Sequence, residues 1–489
     1  MVASPLLLLL PSSLLLLSSC SSCPPLLFAS SSSRLLGSKL PISFSKSASS
    51  PLTARTRALF TVASPRRRPP PSSLSAMVAS SSPSPSTLIP SSPATDMVQV
   101  LSSFPARTYR PPWWARQAHV NTIVGALFAT PPTPSYERER WTTPDGDFVD
   151  IDFLRSELPA SRGIVLLYHG LESNSLAPLT VRQARSLSMA GFDVAAIGFR
   201  GCSGEDNLTP GGYHLGFTDD VHFIAKRLHE QRPDRKIFVT GTSLGGNVMI
   251  KFLAELGDRA SEIGVVGGAV SCVPMNAIDC QVKLDEDAFN CKVYSGNFLK
   301  SLKPKAERQA TRFPGLFDIE KIRACKTIGE FDHNFIAPIY GFSSKEDYYL
   351  KCGSKAFLSR VRVPLLIINA IDDPFIEPST LPTAEDIGEG TVRVQYTEHG
   401  GHCGYLEGLK SLSVDFRALF YKIFRGLRIQ ANAHAPAGWM PTELTRFLLH
   451  LDGEKLKEEE EEETQARKGK LFALFANVWK ALTGRRRKE

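Results

Sequence analysis

The chain has 489 residues, enough for one large domain with appendages or for two domains, and 42% of them are hydrophobic, which supports a sizeable core. Its formal charge of +8 is local: residues 1–95 hold eight Lys and Arg and no Asp or Glu, leaving 49 basic against 49 acidic residues beyond them. That balance excludes a global field that recruits a polyanion, so no nucleic-acid partner is expected. The nine cysteines are scattered without a regular framework, which reads as free thiols in a reducing compartment.

Residues 1–95 contain 28 serines, many prolines and no carboxylate. Such a segment buries too little apolar surface to offset its ordering entropy, so a disordered leader and linker is expected. A serine-rich, arginine-bearing, acid-free leader has the pattern of an organellar transit peptide, and the chloroplast is the expected localisation. The alternative is the secretory pathway, because Leu6–Leu10 and Leu14–Leu17 form apolar runs. Pro11, Ser12 and Ser13 interrupt them, no basic residue precedes them, and neither reaches the ~20 apolar residues of a membrane span. The sequon Asn207-Leu208-Thr209 separates the two readings: a secreted chain would carry a glycan there, an imported one would not.

Residues 96–136 read as an N-terminal extension, and a globular pattern occupies 137–430. Trp141–Thr143 and Phe148–Phe153 flank Pro144-Asp145-Gly146-Asp147, the pattern of a hairpin. Apolar runs at Gly163–Tyr168, Phe192–Ile197, Lys236–Thr240 and Gly264–Val273 then alternate with helical stretches at Leu179–Ala190, Thr218–Glu230 and Leu244–Leu256. This alternation predicts a mainly parallel sheet covered by helices on both faces. It resumes with Pro364–Asn369, Val392–Tyr396 and a helix around Ser413–Phe424. Between them, residues 274–360 lack the rhythm and read as an inserted lid or cap. Residues 431–489 read as an acidic linker, with Glu458–Glu463 as a solvated spacer, and a basic amphipathic helix. Leu471, Leu474, Phe475, Val478, Trp479 and Leu482 recur at helical spacing among basic residues. Peripheral membrane contact through 468–488 is therefore expected, the alternative being a helix packed on its own domain.

The chemistry centres on Gly241-Thr242-Ser243-Leu244-Gly245, a G-x-S-x-G motif that follows an apolar run and precedes a helical stretch. Small neighbours let the chain turn sharply and project Ser243 as a nucleophile. A serine hydroxyl needs a base. In the order Ser, acid, His, the downstream candidates are Asp372 and Asp373 after one predicted strand and His399 and His402 after the next. His402, flanked by glycines, reads as the base and His399 as structural. Asp373 reads as the acid, with Asp372 as its alternative. The Leu244 and Leu171 amides are the candidate oxyanion donors. No phosphate loop, metal-ligand cluster or dinucleotide fingerprint stands out, so no cofactor and no metal are expected.

With Pro112-Trp113, His119, Thr122, Thr143–Asp147, Arg200–Gly204, Gly241–Asn247, Phe335–Phe342, Asp372-Asp373-Pro374 and His399–His402, the chain resembles the embryogenesis-associated plant hydrolases from about Pro111 to Phe424. That family is similar to bacterial hydrolases and to animal monoacylglycerol-lipase-like proteins. Val120-Asn121 departs from the Leu-Gln more frequent in it. The resemblance implies an α/β-hydrolase fold with an eight-stranded-type sheet and a charge relay at Ser243, Asp373 and His402. It also implies a serine esterase or acylglycerol lipase that takes a small-molecule or lipid ester. Acyl transfer or thioester cleavage at the same residues is the alternative, and a non-catalytic lipid-binding or membrane scaffold is the alternative of another class.

Overall fold

Strands that are apolar on both faces lose water contact only when helices cover both sides of the sheet. The computed structural model has this arrangement, and it describes residues 93–128, 132–388, 390–407, 438–454 and 456. Eight strands form one sheet in the order β1-β2-β4-β3-β5-β6-β7-β8. The hairpin β1 (Glu137–Thr142) and β2 (Phe148–Leu154) is antiparallel, and β2 meets β4 (Asp193–Ile197) antiparallel. The remaining pairs are parallel, through β3 (Ile164–Tyr168), β5 (Ile237–Thr242), β6 (Val265–Ser271), β7 (Leu365–Ala370) and β8 (Val392–Thr397). The chain therefore has the expected α/β-hydrolase architecture, an eight-stranded, mostly parallel sheet with helices.

Among the described residues, α1 (Pro93–Ser103) and α2 (Ala118–Phe128) are the α-helices that precede the sheet. Helix α1 begins three residues inside the segment expected to be leader. Helix α3 (Pro178–Met189) contributes Ala184 and Leu187 to one core, with Leu101 of α1 and Phe104 just beyond it. Helices α4 (Asp219–Gln231) and α5 (Leu244–Leu256) contribute to the core on the other face. The C-terminal boundary expected near residue 430 is too early. Trp439–Leu451 is a helix whose Leu444, Phe447 and Leu448 are wholly buried in the first core. The expected helix at 413–424 and the amphipathic segment at 468–488 lie outside the described residues.

The 274–360 insertion between β6 and β7 is helical. Its longer pieces are α6 (Ala277–Glu286), Gly296–Arg312 and Lys345–Cys352. The π turns Cys291–Ser295 and Asp332–Ile336 break the 3.6-residue spacing, which is why no period shows in the sequence. Among the described residues no helix is long and apolar enough to cross a membrane.

A buried ion network ties the C-terminal helix to the extension before the sheet. Glu443, fully buried, accepts from the Arg107 amide at 2.8 Å, from Arg107 Nε at 2.8 Å and from Arg446 Nη1 at 2.7 Å. Removing the carboxylate takes the counter-charge from the buried Arg446 guanidinium. Glu443→Ala is expected to lower the unfolding free energy by about 3 kcal/mol. Denaturant unfolding checks this, and a midpoint equal to that of the wild type would sink it.

Candidate active site

Strand β5 ends in a turn that no ordinary residue sequence tolerates. Ser243 stands at φ 56°, ψ −124°, a conformation that L residues avoid. The glycines two positions either side allow it. A Cβ on Gly241 would lie 2.6 Å from the Gly245 carbonyl carbon, and one on Gly245 would lie 2.6 Å from the Tyr168 carbonyl oxygen. Ser243 N–H donates to Ser271 O at 2.9 Å, anchoring the elbow to β6. Asn247, four residues on, ties the start of α5 to two distant segments. Its side chain donates to Leu215 O and Cys352 O at 2.8 Å and accepts from the Ser354 amide at 2.9 Å.

His402 lies 3.0 Å from Ser243 Oγ through Nε2 and 2.8 Å from Asp373 Oδ2 through Nδ1. A carboxylate can only accept, so the ring proton sits on Nδ1 and Nε2 is left to accept from the serine hydroxyl. Asp373 is wholly buried at its side chain, and its other oxygen accepts from Phe375 N–H at 2.8 Å. The Phe375 ring stacks on the imidazole at 4.0 Å between centroids. The structure therefore brings Ser243, His402 and Asp373 together. It places Asp372 elsewhere: Asp372 accepts from Gly401 N–H at 2.9 Å and contacts His399 Nδ1 at 3.3 Å. Burial raises the Asp372 pKa above the ordinary carboxylate value, although those two contacts oppose the rise.

Leu171 and Leu244 both line a cavity of about 150 Å³ that reaches Ser243. Neither amide donates a hydrogen bond to another group among the described residues. The loop that carries Leu171 is held by His169. This buried ring accepts from Phe199 N–H at 3.2 Å through Nε2, and its Nδ1 meets the Gly170 carbonyl at 2.8 Å. Burial pushes its pKa down to about 4, so it is neutral at ordinary pH. The cavity wall is mainly apolar, with Phe298, Leu302, Phe331 and Phe335 supplied by the insertion. Among the described residues no cluster of His, Cys, Asp or Glu has the arrangement of a metal site.

One group of contacts at the candidate site carries no local signal in the sequence. The Thr122 hydroxyl accepts from His402 N–H at 2.9 Å while donating to Ala118 O at 2.8 Å. Asn121, fully buried, accepts from Leu406 N–H at 3.2 Å and donates to Ala115 O at 3.0 Å. The extension thus clamps the loop that carries the imidazole. Only the resemblance motif around Thr122 hints at this, and the Val120-Asn121 departure is where the clamp lies.

The alpha/beta hydrolase fold model matches residues 163–409. The chain belongs to that family. YheT of Escherichia coli, named as a candidate esterase, is 32% identical over 59% of this chain and 84% of its own. Phospholipase ABHD3 of Mus musculus is 25% identical over 62% of this chain and 74% of its own. The embryogenesis-associated protein EMB8 of Picea glauca is 28% identical over 62% and 68%. The expected kinship with embryogenesis-associated, bacterial and animal hydrolases is therefore met. The protein is an α/β-hydrolase with relatives of esterase and phospholipase type.

On the cavity wall, Asp332 accepts from Tyr349 Oη at 2.7 Å. Burial raises its pKa from the ordinary 3.8 to about 7, the tyrosine contact opposing this only in part. A carboxyl that binds its proton more tightly when folded favours the folded chain below about pH 4 and loses that contribution as pH rises through 7. Relative to Asp332→Asn, the wild-type unfolding temperature is expected to fall between about pH 4 and pH 8. Thermal melts across that range check it, and parallel curves for the two proteins would overturn it.

Proposed function

We propose that this α/β-hydrolase is a serine carboxylic-ester hydrolase of esterase or acylglycerol-lipase type. The observation that carries the reading is the continuous hydrogen-bonded line Ser243 Oγ, His402, Asp373 at the wall of an apolar cavity. His402 takes the Ser243 proton as the oxygen attacks the ester carbonyl, and Asp373 stabilises the imidazolium. The oxyanion of the tetrahedral intermediate is received by the Leu171 and Leu244 amides, the second of which stands at the start of α5 with that helix's partial positive charge behind it. His402 returns the proton to the departing alcohol and leaves an acyl-enzyme. Water, deprotonated by the same ring, then releases the acid. The cavity accommodates the acyl chain among its phenylalanine and leucine side chains. The names of the relatives, an esterase and a phospholipase, support acyl-ester chemistry.

Ser243→Ala is expected to abolish labelling by a fluorophosphonate probe and to lower kcat on a p-nitrophenyl ester by roughly 10⁴-fold or more. Asp373→Asn is expected to fall by about 10⁴-fold while Asp372→Asn keeps most of the activity. Probe labelling that survives Ser243→Ala, or equal losses in the two aspartate variants, would refute the assignment.

We also propose that the enzyme works in the chloroplast. The acid-free leader supports this, and so does Asn207, which is 2% exposed and donates its side-chain amide to Asp147 Oδ1 at 2.8 Å and Phe148 O at 2.7 Å. A glycan would replace one of the two hydrogens on that nitrogen, so the two bonds could not both be kept. A fluorescent protein fused behind residues 1–95 is expected inside plastids; delivery to the secretory pathway instead would overturn the proposal.

A further inference from the structure

Glu172 directly follows the Leu171 amide and faces the same cavity as Ser243. Two residues before it, Gly170 packs against Ser243, so that a Cβ on the glycine would sit 3.8 Å from Ser243 Oγ. Glu172 has φ 55°, a conformation that persists in an L residue only where its surroundings hold it. Tyr213 supplies that hold. Its hydroxyl accepts from Glu172 N–H at 2.8 Å and donates to Glu172 Oε1 at 3.0 Å. From the inserted helix Gly296–Arg312, Lys305 Nζ donates to the same Oε1 at 2.8 Å and contacts Cys202 Sγ at 3.4 Å. The second carboxylate oxygen, Oε2, has no hydrogen-bond partner among the described residues, although the side chain is only 5% exposed. A buried oxygen left without a donor is costly to a fold. Here it stands strained, clamped and half-satisfied on a cavity wall beside the nucleophile, as a group does that is kept for a ligand.

We propose that Glu172 and Lys305 form a subsite for the alcohol portion of the ester, and that this portion is hydroxylated and uncharged, such as a glycerol or sugar moiety. Glu172 Oε2 accepts from one hydroxyl, and Lys305 Nζ donates to a neighbouring oxygen. The inference rests on the esterase reading of Ser243. The charge along the wall decides between a neutral and an anionic group. Lys305 already faces Glu172. Arg200 is matched by Asp145, Asp147 and Asp220. Asp206 faces Arg308 at 2.6 Å. A phosphate would bring an anion to cations that each have a carboxylate, and close to further carboxyl groups. A polyol needs only the acceptor and donor that Glu172 and Lys305 leave open.

The test compares kcat/KM on three esters of one acyl chain: the glyceryl monoester, the methyl ester and the glycerophosphocholine monoester. The full chain is used as wild type, Lys305→Met and Glu172→Gln, with thermal melts to confirm folding. The wild type is expected to favour the glyceryl over the methyl ester by about tenfold or more, and each variant to bring that ratio close to one. If Glu172→Gln does not fold, Lys305→Met alone decides. A ratio in Lys305→Met equal to that of the wild type overturns the subsite, as does a wild type that prefers the phosphocholine ester. A wild type labelled by fluorophosphonate at Ser243 but indifferent to the alcohol portion overturns the subsite and leaves the esterase reading standing. A wild type inert to the probe overturns that reading and the subsite with it.

Discussion

A hydrogen bond of 3.0 Å joins Ser243 to His402 across 159 residues of sequence, and most of the structure bears on that distance. Parallel strands all end on one side of a sheet, and crevices in such folds open at that side. Strand β5 is followed directly by Ser243, β7 by Asp373 and β8 by the loop to His402. The sheet alone brings the three to one rim. It does not bring them within hydrogen-bonding range. That takes a left-handed serine on one side and a loop pinned to the N-terminal extension on the other.

The extension is thereby part of the site. Thr122 and Asn121 supply acceptors to the backbone N–H groups of His402 and Leu406, so α2 stands as a wall behind the imidazole. The same chain region is tied to the C-terminal helix through Arg107 and Glu443. Polar groups buried in this manner are worthwhile only when fully satisfied, because a low-dielectric interior penalises each one left over. Most of these contacts obey that rule. Glu172 Oε2 breaks it in a residue that lines the same cavity as Ser243.

The insertion has a different role. It covers the site with phenylalanine and leucine side chains, and it reaches back to the sheet through Lys305 and through the Cys352 and Ser354 backbone on Asn247. Apart from the helix Gly296–Arg312 its segments are short, and π turns interrupt them, which suits a surface that must follow the contour of a cavity rather than run straight. Asn247 connects the elbow helix to this cover, so the start of the helix behind Ser243 and the insertion are tied by one amide group.

The eight strands and helices α3 to α5 were legible in the sequence because burial on a sheet enforces local periodicity, and the site was legible in part because a sharp turn demands small residues around Ser243. Local pattern also narrowed the acid to two neighbours and the imidazole to two histidines. It favoured Asp373 and kept Asp372 as the alternative, since adjacent residues at a strand end point in opposite directions and the position of the partner ring decides which one meets it. Nor did it reveal Thr122, Glu172 or Lys305, whose contacts join segments far apart in the chain and leave no period behind. Sequence by itself determined the layers and the chemistry on offer; tertiary structure decided which groups meet, because hydrogen bonding depends on fractions of an ångström that only the packed chain sets.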